Sequence, residues 1–311
     1  MIWQVLAAIT VSSTVCLLIL KAGGRFIPLD RPNHRSMHVD PVPRGGGVGI
    51  LLGVAAGSLI AGAPFVSRGA VLAISGSLLL AIVAWWDDHK DVSPVYRLVI
   101  QVVAACCLLI AVSYRLPGSA NPLAFSWMLL LSFILIPIVV WSINLYNFMD
   151  GMDGLAAAMA IIGFGCLAWF GWQAGEVMYA SMALCVVAAC AGFLPFNLHP
   201  ARMFMGDVGS TLLGFWAVGF SLWGIALELY PWWVPLLVFS AFWVDATVTL
   251  LHRIWKREKI FQAHKSHVYQ RLVRSGLGQH RTLLLEIALM MACALFAARA
   301  VQCPYIGSMP F

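Results

Sequence analysis

The chain has 311 residues, 61% of them hydrophobic and 10% charged, with 19 Lys and Arg against 13 Asp and Glu for a formal net charge of +6. That balance excludes an ordinary soluble globule and assigns the chain to a bilayer; no nucleic-acid partner is expected. The eight cysteines lie in or beside apolar stretches without CxxC spacing, which suggests small apolar packers and neither a disulfide framework nor a zinc site.

Apolar stretches long enough to cross ~30 Å of hydrocarbon, about 20 residues each as helix, follow one another along the chain. They fall at 2–20, 48–66, 69–86, 98–114, 126–143, 155–172, 178–196, 211–229, 232–251 and 282–301. The expected fold is therefore all-α, a single polytopic membrane domain over 1–311 with about ten transmembrane helices. The first stretch has no basic region before it and no small-residue cleavage site after it, so it reads as a retained helix.

Basic residues set an expected orientation. The loops 21–47, 87–97, 144–154, 197–210 and 252–281 hold 16 of the 19 Lys and Arg, leaving Arg68, Arg115 and Arg299 for the other side. The positive-inside rule makes those five loops cytoplasmic and puts both termini outside. All eight histidines and nine of the thirteen acids fall in the same loops. Net positive charge on that face would meet anionic lipid head groups or phosphate-bearing substrates. Reactive groups gathered on one face, with little polarity at mid-membrane, suggest an interfacial enzyme with its active site in the cytoplasmic loops. A transporter needs sites near the midplane.

Three acidic segments stand out in chain order. Asp87 and Asp88 close the third stretch, with Arg97 and Gln101 opening the next. Adjacent carboxylates on a helix end point in different directions, so one can hold a cation while the other orients or accepts a proton. A helix stop with a solvated turn, capped by Ser93 and Pro94, explains them equally well. The second segment is NLYNFMDGMDGL, 144–155, where Asn144, Asn147, Asp150 and Asp153 recur every third residue beside Gly151 and Gly154. Oxygen-bearing groups of this kind suit a hard cation such as Mg²⁺, held by one or two carboxylates plus substrate phosphates. A simple Asn/Asp/Gly turn needs about five residues, and twelve are spent here. In the third segment, HPARMFMGDVGST, Asp207 lies between Gly206 and Gly209, ahead of a helix start expected at Ser210 or Thr211. A metal ligand there would present the ion beside a helix N-terminus, although Asp207 could instead be a cap.

Two basic loops complete the inventory. Arg35, Arg44 and His38 in 31–49, and His264, Lys265, His267 and Arg271 in 252–281, could neutralise phosphates; an Arg fork suits a diphosphate and His can shuttle protons. Ordinary positive-inside topology is the better reading of the individual Lys and Arg, but it does not require the histidines. The triple glycine 45–47 is a weak signal for a phosphate cradle, since no GK[ST] follows. Asp245 and Glu286 fall inside stretches, ~9 Å and ~6 Å deep by helix rise, where each could line a cavity or pair with a neighbouring helix. Neither is counted as catalytic.

The pair at 87 and 88, NLYNFMDGMDG at 144–154, FMGDVGS at 204–210 and HKSH at 264–267 together resemble the polyprenyl-phosphate N-acetylhexosamine-1-phosphate transferases along nearly the whole chain. The resemblance implies a multi-pass enzyme of the bacterial inner membrane, often dimeric, dependent on Mg²⁺ with Mn²⁺ as a substitute. Its substrates would be undecaprenyl phosphate among the membrane lipids and a UDP-N-acetylhexosamine, with UMP released. Carried over by position, Asp207 would be the metal ligand with Asn147 on metal or diphosphate. Asp87 and Asp88 would bind metal or activate the lipid phosphate, and Asp150 and Asp153 would be essential acids near the nucleotide. His264, His267 and Arg271 would form the uridine-diphosphate loop, and His38, Arg44 and Arg97 further substrate contacts. Lys265 and Ser266 interrupt the run of three histidines found in the phospho-N-acetylmuramoyl-pentapeptide branch, which favours the branch that starts O-antigen, teichoic acid or similar chains.

Two mechanisms remain open on the sequence: direct attack by lipid phosphate, or a two-step route with Asp87 or Asp88 as nucleophile. Two other functions compete. A cation-coupled transporter would need broken helices and symmetric halves, and a CDP-alcohol phosphatidyltransferase would need a DGxxAR motif where this chain has DGMDGLA.

Overall fold

The computed structural model describes residues 1–23, 27–30, 41–62, 67–90, 92–114, 122–258 and 265–302. The described chain is helical apart from one two-stranded ribbon, β1 (Leu29–Asp30) paired antiparallel with β2 (Val42–Pro43). The helices are α1 (Ile2–Lys21), α2 (Gly46–Ile60), α3 (Arg68–His89), α4 (Pro94–Ser113), α5 (Pro122–Met149), α6 (Leu155–Gln173) and α7 (Val177–Asn197). They continue with α8 (Gly206–Ala226), α9 (Trp233–Val238), α10 (Ser240–Trp255), α11 (Val268–Leu272) and, after a π-helical turn, α12 (Gly278–Gln302).

Among the described residues, eight helical segments are long and apolar enough to cross a membrane, and α2 is a shorter apolar helix. The multi-pass architecture is as expected, with two refinements. The second stretch forms only 15 helical residues. The ninth, expected as one span over 232–251, is broken at Phe239 (φ −95°, ψ 13°) into α9 and α10. A helix break inside a membrane protein frees backbone groups that neighbouring helices must satisfy. Here Phe242 and Trp243 N–H groups turn back to the Phe239 carbonyl.

Helices α6, α7 and α8 form the buried centre, and α1, α3, α4, α5 and α12 surround them with outward faces such as Phe133, Ile134, Leu295 and Phe296 turned to lipid. Association inside a bilayer relies on close packing of small residues. Ala156, Ala157, Ala158 and Ala160 of α6 are buried, and Gly49, Gly53 and Gly57 of α2 lie against α1. A Cβ at Gly53 would sit 2.6 Å from the Ala8 carbonyl oxygen.

The site end of the bundle is held by backbone contacts. The N–H groups of Gly45 and Gly46 donate to the Phe204 carbonyl (3.2 and 3.0 Å), and that of Gly47 donates to Met205 O (2.8 Å). The triple glycine is thus a packing seam between the starts of α2 and α8, not a phosphate cradle, since its donors are already used. A Cβ on Gly47 would lie 2.1 Å from the Gly209 backbone nitrogen. Gly47→Ala is therefore expected to lower thermal stability by the equivalent of about 1–3 kcal/mol or more, as overpacking against immobile backbone does. Gly165→Ala, with nothing within 4 Å, should leave the melting temperature unchanged or slightly raised. Equal melting of the two variants would contradict this account.

Candidate active site

The three acidic segments converge at one end of the bundle. Helix α3 ends in Asp87 and Asp88 as expected, and α4 opens with the expected cap: Ser93 Oγ accepts from Tyr96 N, with Pro94 in the first turn. Helix α8 begins earlier than expected. It starts at Gly206, whose φ of +74° suits a residue without a side chain, so Asp207 lies in its first turn and Ser210 is interior. Ser210 Oγ bonds back to the Gly206 carbonyl (3.2 Å) and caps nothing.

Only part of the Asn/Asp ladder is a loop. Helix α5 runs to Met149, so Asn144 and Asn147 are helical, and residues 150–154 make the whole turn into α6. The twelve-residue segment is one helix end plus a five-residue turn, because a period of three is compatible with an α-helical face. Gly154 (φ +78°) closes the turn in the left-handed region. Its N–H donates to Asn197 Oδ1 (3.0 Å), while Asn197 Nδ2 donates to the Met203 carbonyl (3.0 Å). One buried asparagine at the end of α7 therefore staples the 150–154 turn to the segment leading into Asp207.

Around Asp207 the side chains interlock. Asn147 Nδ2 donates to Asp207 Oδ1 (2.9 Å) and Ser210 Oγ (3.0 Å). Arg97 pairs closely with Asp87 and reaches Asp207 Oδ2 at 3.8 Å. Asp87 Oδ1 also accepts from Val92 N (2.9 Å). Asp88 accepts from the Asp207 backbone N–H at 3.3 and 3.1 Å, and Arg44 Nη1 lies 4.0 Å from it while donating to Asp30 (2.8 Å) through Nη2. Side-chain exposure separates the three carboxylates: 29% for Asp207, 9% for Asp87 and 3% for Asp88. Asp207 is thus the one most able to meet a ligand, in a pocket lined by Asp87, Arg97, Asn147 and Thr211. Deeper in that pocket, Asn144 and Gln101 exchange hydrogen bonds (2.8 and 3.4 Å) and tie α5 to α4.

The remaining sequence candidates are placed as follows. Asp150, in the turn, is half-buried, and burial pushes its carboxyl well above the usual carboxylate range; the charges of Asp207 and Asp88 push the same way and Arg44 opposes them. Asp153 accepts from the Ala201 N–H (3.2 Å) and pairs with His199 Nδ1 (2.7 Å), a partner the sequence reading did not single out. His267 is buried against Asp245, and Arg271 is exposed on α11. His38 and His264 lie outside the described residues.

The donor set can be tested against a divalent cation. Among the described residues no three His, Cys, Asp or Glu side chains gather as a ready ligand cluster. Magnesium needs fewer, one or two carboxylates with the rest from water and substrate phosphates. The formal charge balance points the same way: four acids, Asp30, Asp87, Asp88 and Asp207, share the two guanidinium groups of Arg44 and Arg97, an excess of two acids over bases. The residues present fit a dication at Asp207, with Asn147 beside it.

Fold and site together define a membrane-embedded enzyme whose polar chemistry sits at one end of a helical bundle. The chain belongs to glycosyl transferase family 4, whose family model matches residues 70–225. It is 30% identical over 302 residues to the probable undecaprenyl-phosphate N-acetylglucosaminyl 1-phosphate transferase of Bacillus subtilis, covering 92% of this chain and 80% of that protein. It is 26% identical to the undecaprenyl-phosphate alpha-N-acetylglucosaminyl 1-phosphate transferase of Yersinia pestis (86% and 75% covered) and 25% identical to the protein of the same name in Escherichia coli K12 (98% and 84%). Family membership decides against the transporter, despite the break at Phe239.

Asn197 gives a direct check on how the site is assembled. Asn197→Leu leaves the Gly154 N–H and the Met203 carbonyl without their buried partner, at a cost of about 1–3 kcal/mol each. The expected outcome is a lower melting temperature together with a loss of transferase activity larger than the unfolded fraction explains. Full activity in the folded variant would contradict the staple.

Proposed function

We propose that this protein transfers an N-acetylhexosamine-1-phosphate, with N-acetylglucosamine the first sugar to test, from its UDP derivative to undecaprenyl phosphate. The products are UMP and a lipid-diphosphate-linked sugar. The observation that carries the reading is the convergence of Asp87, Asp88, Asn147 and Asp207, from three separate segments, on the first turn of α8. The names of the relatives support the lipid and the sugar.

The problem to be solved is the meeting of two polyanions at a membrane surface. In this reading Arg97, held by Asp87, and Arg44, held by Asp30, receive phosphate oxygens; guanidinium forks suit a diphosphate. Asp88 holds the α8 N-terminus in place through the Asp207 amide, and Asn147 fixes the Asp207 carboxylate. A Mg²⁺ ion bound by Asp207, with Asn147 beside it, would supply charge neutralisation of the diphosphate. An oxygen of the lipid phosphate attacks the sugar-bearing phosphorus, the bond from that phosphorus to the bridging oxygen breaks, and the electron pair leaves with UMP. Asp87 and Asp88 are both engaged, by Arg97 and Val92 N–H and by Asp207 N–H respectively, which favours this direct route over a phospho-enzyme on either. The positive-inside asymmetry supports placing this end of the bundle in the cytoplasm, where nucleotide sugars are found, within a bacterial inner membrane.

Purified protein given undecaprenyl phosphate, Mg²⁺ and a panel of UDP-N-acetylhexosamines should release UMP with at least one of them. Release with none would overturn the function. Chelation by EDTA should stop turnover and added Mg²⁺ or Mn²⁺ should restore it; turnover indifferent to EDTA would remove the metal from the account. Asp207→Ala should lower turnover by about 10²–10³-fold, the range seen when a transition-state stabilising group is lost, without changing the melting temperature by more than a few degrees.

A further inference from the structure

Asp245 lies outside the cluster built around Asp207. It sits on α10, just past the break at Phe239, and is buried with 6% exposure. Its Oδ1 accepts from Thr249 Oγ1 (3.1 Å), His267 Nδ1 (3.2 Å) and Val268 N (3.0 Å), and its Oδ2 accepts from Tyr269 N (3.3 Å). Three of these four donors belong to one short turn of the last basic loop. A carboxylate can only accept, so the proton of a neutral His267 ring sits on Nδ1 and Nε2 carries the lone pair.

The turn is in contact with the active-site segment. Tyr269 is fully buried, and its hydroxyl donates to the Phe148 carbonyl (3.3 Å). A Cβ on Gly151 would lie 2.2 Å from that same hydroxyl, so the phenol is pressed directly on the backbone next to Asp150. A continuous path of hydrogen bonds and contact therefore runs from Asp245 through residues 267–269 to the 150–154 turn.

We propose that Asp245 is a positioning residue for the nucleotide-sugar side of the reaction. It acts through the 267–269 turn, holding the segment that carries Lys265, His267 and Arg271 in register with Asp150 and Asp153. This rests on the transferase reading above. Asparagine is the discriminating replacement, because it keeps the shape of the side chain but substitutes an NH2 for one acceptor. That NH2 faces either the Tyr269 N–H or the donors on Oδ1, and the turn must shift. A shift of about 1 Å in a positioning element can cost on the order of 10²-fold in rate.

The test is steady-state UMP release by the purified full chain, varying each substrate in turn. Asp245→Asn should raise the KM for the UDP-sugar by about tenfold or more and leave the KM for undecaprenyl phosphate within about twofold. Tyr269→Phe should raise the same KM, and the double variant should be no worse than the more damaged single one, since both act on one turn. Asp245→Glu, which keeps two acceptors, should recover part of the affinity. A residue that merely supports folding would lower the amount of active protein and leave both KM values unchanged; that result, or an equal rise in both, overturns the proposal. Should Asp245→Asn not be recovered folded, Tyr269→Phe decides alone, and an unchanged UDP-sugar KM overturns it. Tryptic cleavage after Lys265, measured without substrates, separates this claim from the activity. It should be faster in Asp245→Asn than in wild type, whether or not UMP is released by either, and equal rates overturn the positioning role.

Discussion

The hydrogen bonds from the Asp207 amide to the Asp88 carboxylate are the contact on which the rest of the site depends. They bind the last turn of one membrane helix to the first turn of another and bury a negative charge against the positive end of α8, where the exposed N–H groups and the helix dipole both favour it. With Asp88 used in this way, the neighbouring Asp87 is left to hold Arg97, and Asp207 turns its own carboxylate toward the pocket. Two adjacent acids thus do different work because consecutive helical side chains point in different directions. The arrangement concentrates more negative than positive charge in a half-buried space. That is an unfavourable state for a protein alone, and a favourable one for a site that receives a cation and then a diphosphate.

Such a cluster survives only if its surroundings are held tightly. The glycine seam at 45–47 brings the start of α2 against the start of α8 with no room for a side chain between them. Asn197 joins the Asp150–Asp153 turn to the approach of α8, and Asp245 joins the last basic loop to α10. Asn197 and Asp245 are both buried and polar, and each satisfies backbone groups of a loop that could not otherwise be buried. The site is assembled from the ends of α3, α5 and α8 and the 150–154 turn, and its precision comes from polar residues anchored on helices.

Much of this was legible in the sequence. Hydropathy carried the multi-pass helical architecture, and the three acidic segments carried the candidate site. The misses have physical causes. A run of Asn and Asp at period three reads as loop, yet Asn144 and Asn147 continue α5, because a membrane helix tolerates amides that find partners, here Gln101, Asp207 and Ser210. Ser210 looks like a cap, but Gly206 can take the left-handed conformation that starts α8 four residues earlier. The break at Phe239 has no strong sequence signal, because Pro235 sits within the first turn of α9, where proline is tolerated. The jobs of Asn197, His199 and Asp245 depend on partners 43, 46 and 22 residues away, a tertiary fact that composition and spacing do not carry.

The central claim is that the carboxylates around the α8 N-terminus form one cation site with Asp207 as its open ligand. Electron paramagnetic resonance of Mn²⁺ titrated into the purified protein, without substrates, measures this most directly. The account predicts one bound Mn²⁺ per chain, displaced by Mg²⁺, and its loss in Asp207→Asn with the fold retained. Binding that is absent from the wild type, or undiminished in Asp207→Asn, would contradict it.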